Sequence, residues 1–435
     1  MEQVACWQVG RGIIVEELDM SKKDRRAGIN RREFMKVSAA AVGGVASLEQ
    51  AGKIQAKGHN DPVKPFTIDV SEAVLDDLRD RLARTRFPDQ IEDAGWSYGT
   101  DLSYLKELCA YWRTGFDWRA QERALNRFDH FRTKINGLGI HFIHQRSKEK
   151  NAIPLIITHG WPGSFVEFTK IIGPLTDPVG HGGRAEDAFH VICPSIPGYG
   201  FSDAPKESGF ECRQMAEIFA KLMAKLGCTQ YGAQGGDWGG VISAWLAAID
   251  TAHVKGLHLN MGDAPEETST EEAEELSPKE TEDLEKMNQG YAAIQATKPQ
   301  SLGYALNDSP AGLAAWIVEK FHGWSDCGGN VEKKFTKDEL LTNIMIYWVT
   351  QTITSSMRLY YEIRATGPKW VPEEKVTVPT GFTLSRSVPQ THRKSIEELY
   401  NVTYWNVMPS GGHFAALEEP DLLVEDIRMF FRDLR

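Results

Sequence analysis

The sequence has few cysteines, and none of them belongs to a Cys-x-x-Cys motif. The six cysteines lie at widely separated positions, namely Cys6, Cys109, Cys193, Cys212, Cys228 and Cys327. Thiolate metal sites and redox pairs depend on close cysteine spacing, and no histidine lies at ligand spacing from these residues. We therefore expect no metal site and interpret the thiols as buried or incidental.

Long apolar runs and basic clusters are missing as well. No segment approaches the roughly 20 apolar residues that a membrane-spanning helix needs, so we expect no integral membrane span. The formal net charge is −11, and the body of the chain has no cluster of Lys and Arg, which disfavours nucleic acid as a partner. Hydrophobic residues make up 41% and charged residues 25%, which predicts a folded, soluble protein whose ligand is a neutral small molecule.

The N-terminal part of the chain carries a pattern typical of export. Residues 30–36, Asn-Arg-Arg-Glu-Phe-Met-Lys, precede the small, mildly apolar run at residues 37–46. This order resembles a bacterial twin-arginine signal. We therefore assign residues 1–60 to a signal and linker and expect a periplasmic or secreted protein. The alternative is a cytoplasmic protein with a basic tail, and Met20 is a second candidate for its start.

From residue 61 onward the chain divides into three kinds of sequence. Residues 61–148 are charged and carry apolar residues at helical spacing, which predicts an N-terminal helical region. Residues 149–435 alternate short apolar runs with helical segments, which predicts a parallel α/β sheet. The alternation breaks at about 264–374, where acidic, turn-rich sequence continues into aromatic helical sequence. This break predicts a helical lid inserted into the sheet.

The strongest local signal for chemistry is Gly235-Gly-Asp-Trp-Gly239. It has the small-x-nucleophile-x-small form of a strand-to-helix elbow, with Asp237 where hydrolases usually carry serine. Flanking glycines suit such an elbow because the strained turn leaves little room for side chains. Taken alone, the motif also fits a glycine-rich helix start with aspartate in the first turn.

Two further motifs stand in the order that an α/β-hydrolase requires. His159-Gly-Trp-Pro162 follows a predicted strand, and the backbone N–H groups of Trp161 and Trp238 would form an oxyanion hole. Gly411-Gly-His-Phe414 follows the last predicted strand, where His413 would serve as the catalytic base. Each motif alone has an ordinary explanation as a turn or a structural histidine. The three together predict an α/β-hydrolase with an aspartate nucleophile.

These motifs resemble the microsomal epoxide hydrolase family, which includes juvenile hormone epoxide hydrolases. The segments that carry the resemblance are His159–Ser164, Pro194–Ser202, Gly235–Gly239, Leu306–Leu313, Pro379–Phe382 and Gly411–Ala415. The resemblance implies an α/β-hydrolase fold with a helical N-terminal wrap and an inserted helical lid. It also implies that an apolar epoxide and water react to a vicinal diol without a cofactor. Two lid tyrosines would bind the epoxide oxygen, and the matching positions are Tyr291 and Tyr360, with Tyr361 as a rival for the second role.

One feature of the family is missing from this chain. Family members orient the base histidine with a carboxylate shortly after the Pro-Thr-Gly segment, but residues 383–391 contain no Asp or Glu. Asp263, just beyond a predicted strand, is the preferred substitute, and Glu397 and Glu398 are weaker candidates. Without an orienting acid, alkylation of Asp237 would persist while turnover would slow.

Two other functions remain open at the level of sequence. A haloalkane dehalogenase has a similar fold and can share the Asp-Trp nucleophile motif, but a halide needs N–H donors where this chain offers tyrosines. The missing acid also leaves open a protein that binds epoxides without turnover. The lid aromatics favour a bulky apolar substrate such as cis-stilbene oxide. The sequence leaves the oligomeric state open, a homo-oligomer included.

Overall fold

The computed structural model describes residues 61–260, 290–367, 371–385 and 393–435. Three expectations fall outside these described residues. They are the export signal within residues 1–60, the acidic first part of the lid, and the candidate acid Asp263.

The described residues form a nine-stranded mixed sheet with the strand order β1-β2-β3-β5-β4-β6-β7-β8-β9. The strands are β1 (Lys64–Pro65), β2 (His130–Ile135), β3 (Leu138–Gln145), β4 (Ile153–Thr158), β5 (Phe189–Pro194), β6 (Tyr231–Gly235), β7 (Val254–Leu259), β8 (Val376–Ser385) and β9 (Tyr400–Met408). The pairs β1–β2, β2–β3 and β3–β5 are antiparallel, and all other neighbouring strands are parallel. The predicted parallel sheet is confirmed, although β8 extends further than the sequence indicated.

The region at residues 61–148 is helical only in its first part. Its helices are α1 (Glu72–Ala83), α2 (Leu102–Thr114) and α3 (Trp118–Leu125). The prediction of helix is wrong for the remainder, where β2 and β3 form a hairpin. Asn136 and Gly137 form its turn with positive φ angles of 51° and 84°, as a two-residue Asn-Gly hairpin requires. The Asn-Gly dipeptide indicates a hairpin in the sequence, but the apolar residues at helical spacing in this region led to a prediction of helix.

Helices pack on the parallel strands. Those between β4 and β7 are α4 (Thr169–Thr176), α5 (Cys212–Lys225) and α6 (Asp237–Ile249). The sequence dictates α5 locally, because Glu211 and Gln214 form a capping box at its start. Met215, Phe219 and Leu222 recur at helical spacing and are buried, so this face packs against the sheet.

A helical layer is inserted between β7 and β8, as the sequence predicts. After helical residues 290–297 it contains α7 (Pro299–Asp308), α8 (Pro310–Trp324), α9 (Lys337–Thr350) and α10 (Ile353–Thr366). Ser309 separates α7 from α8, and its hydroxyl accepts the backbone N–H of Gly312 at 3.0 Å. This N-cap satisfies a donor that a helix start would otherwise leave unpaired.

The chain returns to the sheet and ends in helices. They are α11 (Arg393–Leu399), α12 (Ala415–Glu418) and α13 (Pro420–Arg432). In α13, Leu423, Ile427 and Phe430 are buried at helical spacing. A Cβ at Gly256 of β7 would lie within 3.2 Å of the Phe430 ring, so this helix packs closely on the sheet. Across the described ranges, every helix is too short or too polar to cross a bilayer.

Candidate active site

Asp237 lies at the tight turn between β6 and α6. It is the first residue of the helix and has a φ of +52°, in the left-handed region that residues other than glycine rarely adopt. A Cβ at Gly239 would overlap the Thr158 carbonyl, and a Cβ at Gly235 would overlap the backbone of Gly239. The structure therefore has the strained strand-to-helix turn that the motif predicts, with the carboxylate at the end of the sheet.

Two backbone N–H groups donate to one oxygen of Asp237. The N–H of Trp161 lies 2.8 Å from Oδ1, and the N–H of Trp238 lies 2.6 Å from the same atom. Trp161 follows β4, which is the sheet neighbour of β6. A Cβ at Gly160 would overlap the Asp237 carboxylate, so only glycine allows this approach. The two donors predicted from sequence are thus brought together on a single carboxylate oxygen.

His413 faces the other oxygen of the same carboxylate. Its Nε2 lies 3.3 Å from Oδ2 of Asp237, and each of these two residues is 7% exposed. The ring of Trp324 packs on the imidazole with centroids 5.0 Å apart, and the Trp324 carbonyl accepts the backbone N–H of His413 at 2.8 Å. The imidazole is therefore held where it can take a proton from water that approaches the carboxyl carbon.

Tyr291 and Tyr360 meet beside Trp161, with their rings 5.8 Å apart. Tyr291 stacks on Trp161 at 5.1 Å, and Tyr360 meets Trp238 edge-on at 4.8 Å. Both tyrosines are buried. Burial, followed by the neighbouring Tyr291 and the charge of Asp237, raises the pKa of Tyr360 well above its usual value. This phenol therefore keeps its proton at neutral pH.

Tyr361 does not join this aromatic group. It is 45% exposed, against 2% for Tyr360. Consecutive residues of α10 point about 100° apart around the helix, so the two side chains cannot both face the site. The structure brings Tyr360 against Trp238 and Tyr291 and leaves its rival near the surface.

Glu397 and Glu398, the two weaker acid candidates, do not meet His413, while Asp263 lies outside the described residues. Among the described residues, Asp237 is the one carboxylate in ion-pair contact with the imidazole. Glu397 and Glu398 are exposed on α11, where Glu397 pairs with Arg393 at 2.7 Å. The expectation that one of these two glutamates replaces the family acid is wrong, because α11 presents them to solvent.

Glu418 is the carboxylate near His413 that the sequence reasoning missed. It is 8% exposed, and its oxygens accept the backbone N–H groups of Gly412 at 2.9 Å, Phe414 at 2.9 Å and Asp326 at 2.8 Å. Gly412 and Phe414 flank His413. In the sequence, Glu418 stands beside Glu419, two residues before α13 begins, and looks like one of the acidic residues that commonly precede a helix. The one feature of the sequence that could have indicated its role is its position five residues after His413.

Glu167 is a second carboxyl group that was not singled out. Burial, followed by the charges of Asp237 and Glu418, raises its pKa to about 8. A Cβ at Gly163 would contact its carboxyl group, so glycine makes room for it beside the loop that carries Trp161. Because Glu167 is mainly protonated at neutral pH, it adds little negative charge next to Asp237.

Other polar groups near the site make structural contacts. His159 accepts the backbone N–H of Ile196 at 3.3 Å, and burial lowers its pKa to about 4. It is therefore a neutral link between two loops at the edge of the sheet.

Within the described ranges, no three His, Cys, Asp or Glu side chains are grouped as metal ligands.

The chain is similar in sequence to known proteins over most of its length. Residues 63–168 match the family model described as epoxide hydrolase N terminus, and residues 153–307 match the alpha/beta hydrolase fold. The chain is 44% identical to epoxide hydrolase 1 of Sus scrofa over 411 residues. That alignment covers 87% of this chain and 90% of the relative.

Two solved structures are similar over most of their length. The crystal structure of juvenile hormone epoxide hydrolase from the silkworm Bombyx mori has a TM-score of 0.76 and 35% identity, covering 86% of this chain and 94% of that one. The structure of Aspergillus niger epoxide hydrolase has a TM-score of 0.74 and 31% identity, covering 86% and 97%. The likeness therefore extends beyond the α/β core.

Proposed function

The chain belongs to the epoxide hydrolase family, and we propose that it converts an apolar epoxide to a vicinal diol through a covalent ester on Asp237. The observation that carries the proposal is that the two oxygens of this carboxylate have different partners. Oδ1 accepts the N–H groups of Trp161 and Trp238, while Oδ2 faces His413. Such an arrangement suits attack by Oδ2 and later stabilisation of charge on Oδ1.

The first half-reaction opens the strained ring. Oδ2 of Asp237 attacks an epoxide carbon, the ring C–O bond breaks, and the oxygen takes a proton from Tyr291 or Tyr360. A phenol is a suitable donor because an alkoxide without a proton donor is a poor leaving group.

The second half-reaction hydrolyses the ester. Water attacks its carbonyl carbon while His413 takes one proton, and the charge that develops on Oδ1 is held by the two N–H donors, each worth about 3 kcal/mol. Collapse of this intermediate breaks the bond to the product, and His413 returns its proton to the departing diol oxygen. The second proton of the water leaves the regenerated carboxyl group and restores the tyrosine.

The alternatives differ in what the site must supply. A haloalkane dehalogenase needs N–H donors for the departing halide, whereas this chain places two phenols against Trp161 and Trp238, which flank the carboxylate. The relatives are also named epoxide hydrolases. A protein that only binds epoxides would form neither an ester nor a diol. Chloride release from a chloroalkane, without diol from styrene oxide, would favour the dehalogenase.

A single turnover in heavy-oxygen water tests the proposed ester. With enzyme in excess over styrene oxide, the label should enter the Asp237 carboxylate and leave the diol unlabelled, because water attacks the acyl carbon. Mass spectrometry of the peptide that contains Asp237, and of the diol, measures both products. Label in the diol from the first turnover would mean that water attacks the epoxide directly, and the proposal would fail.

Tyr360→Phe should slow ring opening by about 10- to 100-fold, with Tyr291 remaining as the second donor. Tyr361→Phe is the matched control, because it removes the same hydroxyl from an exposed position one residue away. It should change the rate by less than about twofold. The measurement is the rate of ester formation under single-turnover conditions. Equal losses in both variants would contradict the assignment of Tyr360.

The surroundings of the carboxylate support a bulky apolar substrate such as cis-stilbene oxide. The rings of Trp161, Tyr291 and Trp324 contact one another within 6.2 Å between centroids and form an aromatic wall. Apolar surface of this kind binds aryl groups through burial and ring stacking.

Export by the twin-arginine pathway and a homo-oligomeric state remain proposals, the first resting on residues 30–46 alone.

A further inference from the structure

The loop that carries His413 is fastened to the lid by buried polar contacts. Glu418 accepts N–H groups from both sides of the histidine and from Asp326, which follows α8. The carboxylate of Asp326 in turn accepts the N–H of Gly411 at 3.1 Å. A Cβ at Gly412 would lie 2.6 Å from the Trp324 carbonyl, so loop and lid pack backbone against backbone. Glu418 is thus the side chain that forms hydrogen bonds with both the histidine loop and the lid.

The chemistry of these contacts favours the ionised form of Glu418. All three of its partners are N–H donors and they engage both carboxylate oxygens, which leaves no acceptor for a carboxyl proton. Burial raises the pKa of Glu418, and the three N–H groups together with His413 oppose that rise.

We infer that Glu418 is the positioning residue for His413 in ester hydrolysis, acting through the backbone on both sides of the histidine and through its negative charge. The inference rests on the proposed two-step function. When water attacks the ester, the imidazole becomes positively charged, and a buried anion behind its loop stabilises that charge. The fastened loop also keeps Nε2 directed at the carboxyl carbon, because neither flanking residue can shift without losing a hydrogen bond.

This role predicts that the two half-reactions respond differently to a change at Glu418. Ring opening needs the Asp237 carboxylate and a phenol, and His413 transfers no proton in that step. Ester hydrolysis needs His413 to accept and return a proton. Glu418 therefore takes on the task that the family assigns to an acid after the Pro-Thr-Gly segment, without touching the imidazole itself.

The test compares Glu418→Gln with Glu419→Gln in single-turnover reactions with styrene oxide. The Glu418 variant keeps the size of the side chain but loses its charge and presents an amide N–H to backbone donors. It should form the ester within about threefold of the wild-type rate and hydrolyse it about 10- to 100-fold more slowly. Glu419 pairs with Lys334 at 2.6 Å and is partly exposed, so its variant should hydrolyse the ester normally. Quenched-flow sampling with intact-mass spectrometry gives both rate constants.

Each outcome decides the matter. Slow hydrolysis with intact ring opening supports the inference, whereas equal slowing of both steps, or no change, means that Glu418 only stabilises the fold. If Glu418→Gln does not fold, Glu418→Asp replaces it, since the shorter carboxylate keeps the charge but cannot reach all three donors. It should show the same selective loss to a smaller degree. A wild-type enzyme that makes diol with no ester would overturn the proposed function itself, and the role of Glu418 with it.

Discussion

Asp237→Ala should abolish diol formation, with a loss of at least about 10⁴-fold in turnover. The variant lacks the only atom that attacks carbon in the proposed mechanism, and the N–H groups of Trp161 and Trp238 lose their acceptor. Because no ester can form, the mass of the protein should stay unchanged in the presence of excess epoxide. Diol release measured with a panel of epoxides, together with intact-mass spectrometry, checks both expectations.

Asp237→Asn is the matched variant for the fold. An asparagine side chain keeps the oxygen that accepts both N–H groups, but its amide nitrogen is not a nucleophile at neutral pH. It should therefore lose activity to the same extent while it retains the thermal stability of the wild type. Diol formation at more than about 1% of the wild-type rate by either variant would remove Asp237 from the mechanism.

His413→Gln should separate the two half-reactions more sharply than any other substitution. Ring opening uses Asp237 and the tyrosines, so the ester should still form. Its hydrolysis should slow by about 10³- to 10⁴-fold because no base activates the water. The expected observation is a burst that amounts to one equivalent of epoxide consumed. An adduct on Asp237 should then persist and carry the mass of the substrate.

His322→Gln is the control for this experiment. His322 lies in the lid helix α8, where its ring stacks on Trp96 at 3.9 Å and its Nε2 is 3.2 Å from the Gly329 carbonyl. Its loss should leave both half-reactions unchanged. If His413→Gln hydrolysed its ester at the wild-type rate, another group would have to be the base.

Much of the fold was readable from local patterns. The five apolar segments assigned to strands in residues 149–435 are β4, β5, β7, β8 and β9, and the segment with the capping box is α5. The predictions of β4, β5 and β7 succeed because a strand buried on both faces has to be continuously apolar. The prediction of α5 succeeds because a helix that packs on a sheet has to be apolar at every third or fourth position. The β2–β3 hairpin was missed because charged residues on its exposed face resembled helical sequence.

The candidate site was readable only in part. Gly235, Asp237 and Gly239 form a local motif. The backbone of the strand-to-helix turn leaves no room for a Cβ at either glycine, so consecutive residues are enough to recognise it. The choice between Tyr360 and Tyr361 required the lid, because only packing shows which face of α10 is buried. Glu418 could not be recognised, since its partner Asp326 lies 92 residues away and donates through the backbone, which no sequence motif records.

By itself, the sequence determined the chemical groups of this protein and their order along the chain. A nucleophile elbow, a donor loop and a base loop are each local, because steric limits on a few consecutive residues define them. The tertiary structure alone decided which groups meet. Parallel strands bring Trp161, Asp237 and His413 to one edge of the sheet, and the lid adds two phenols and fastens the histidine loop through Glu418. Such contacts depend on long-range packing, in which burial and backbone hydrogen bonds select partners that are far apart in sequence.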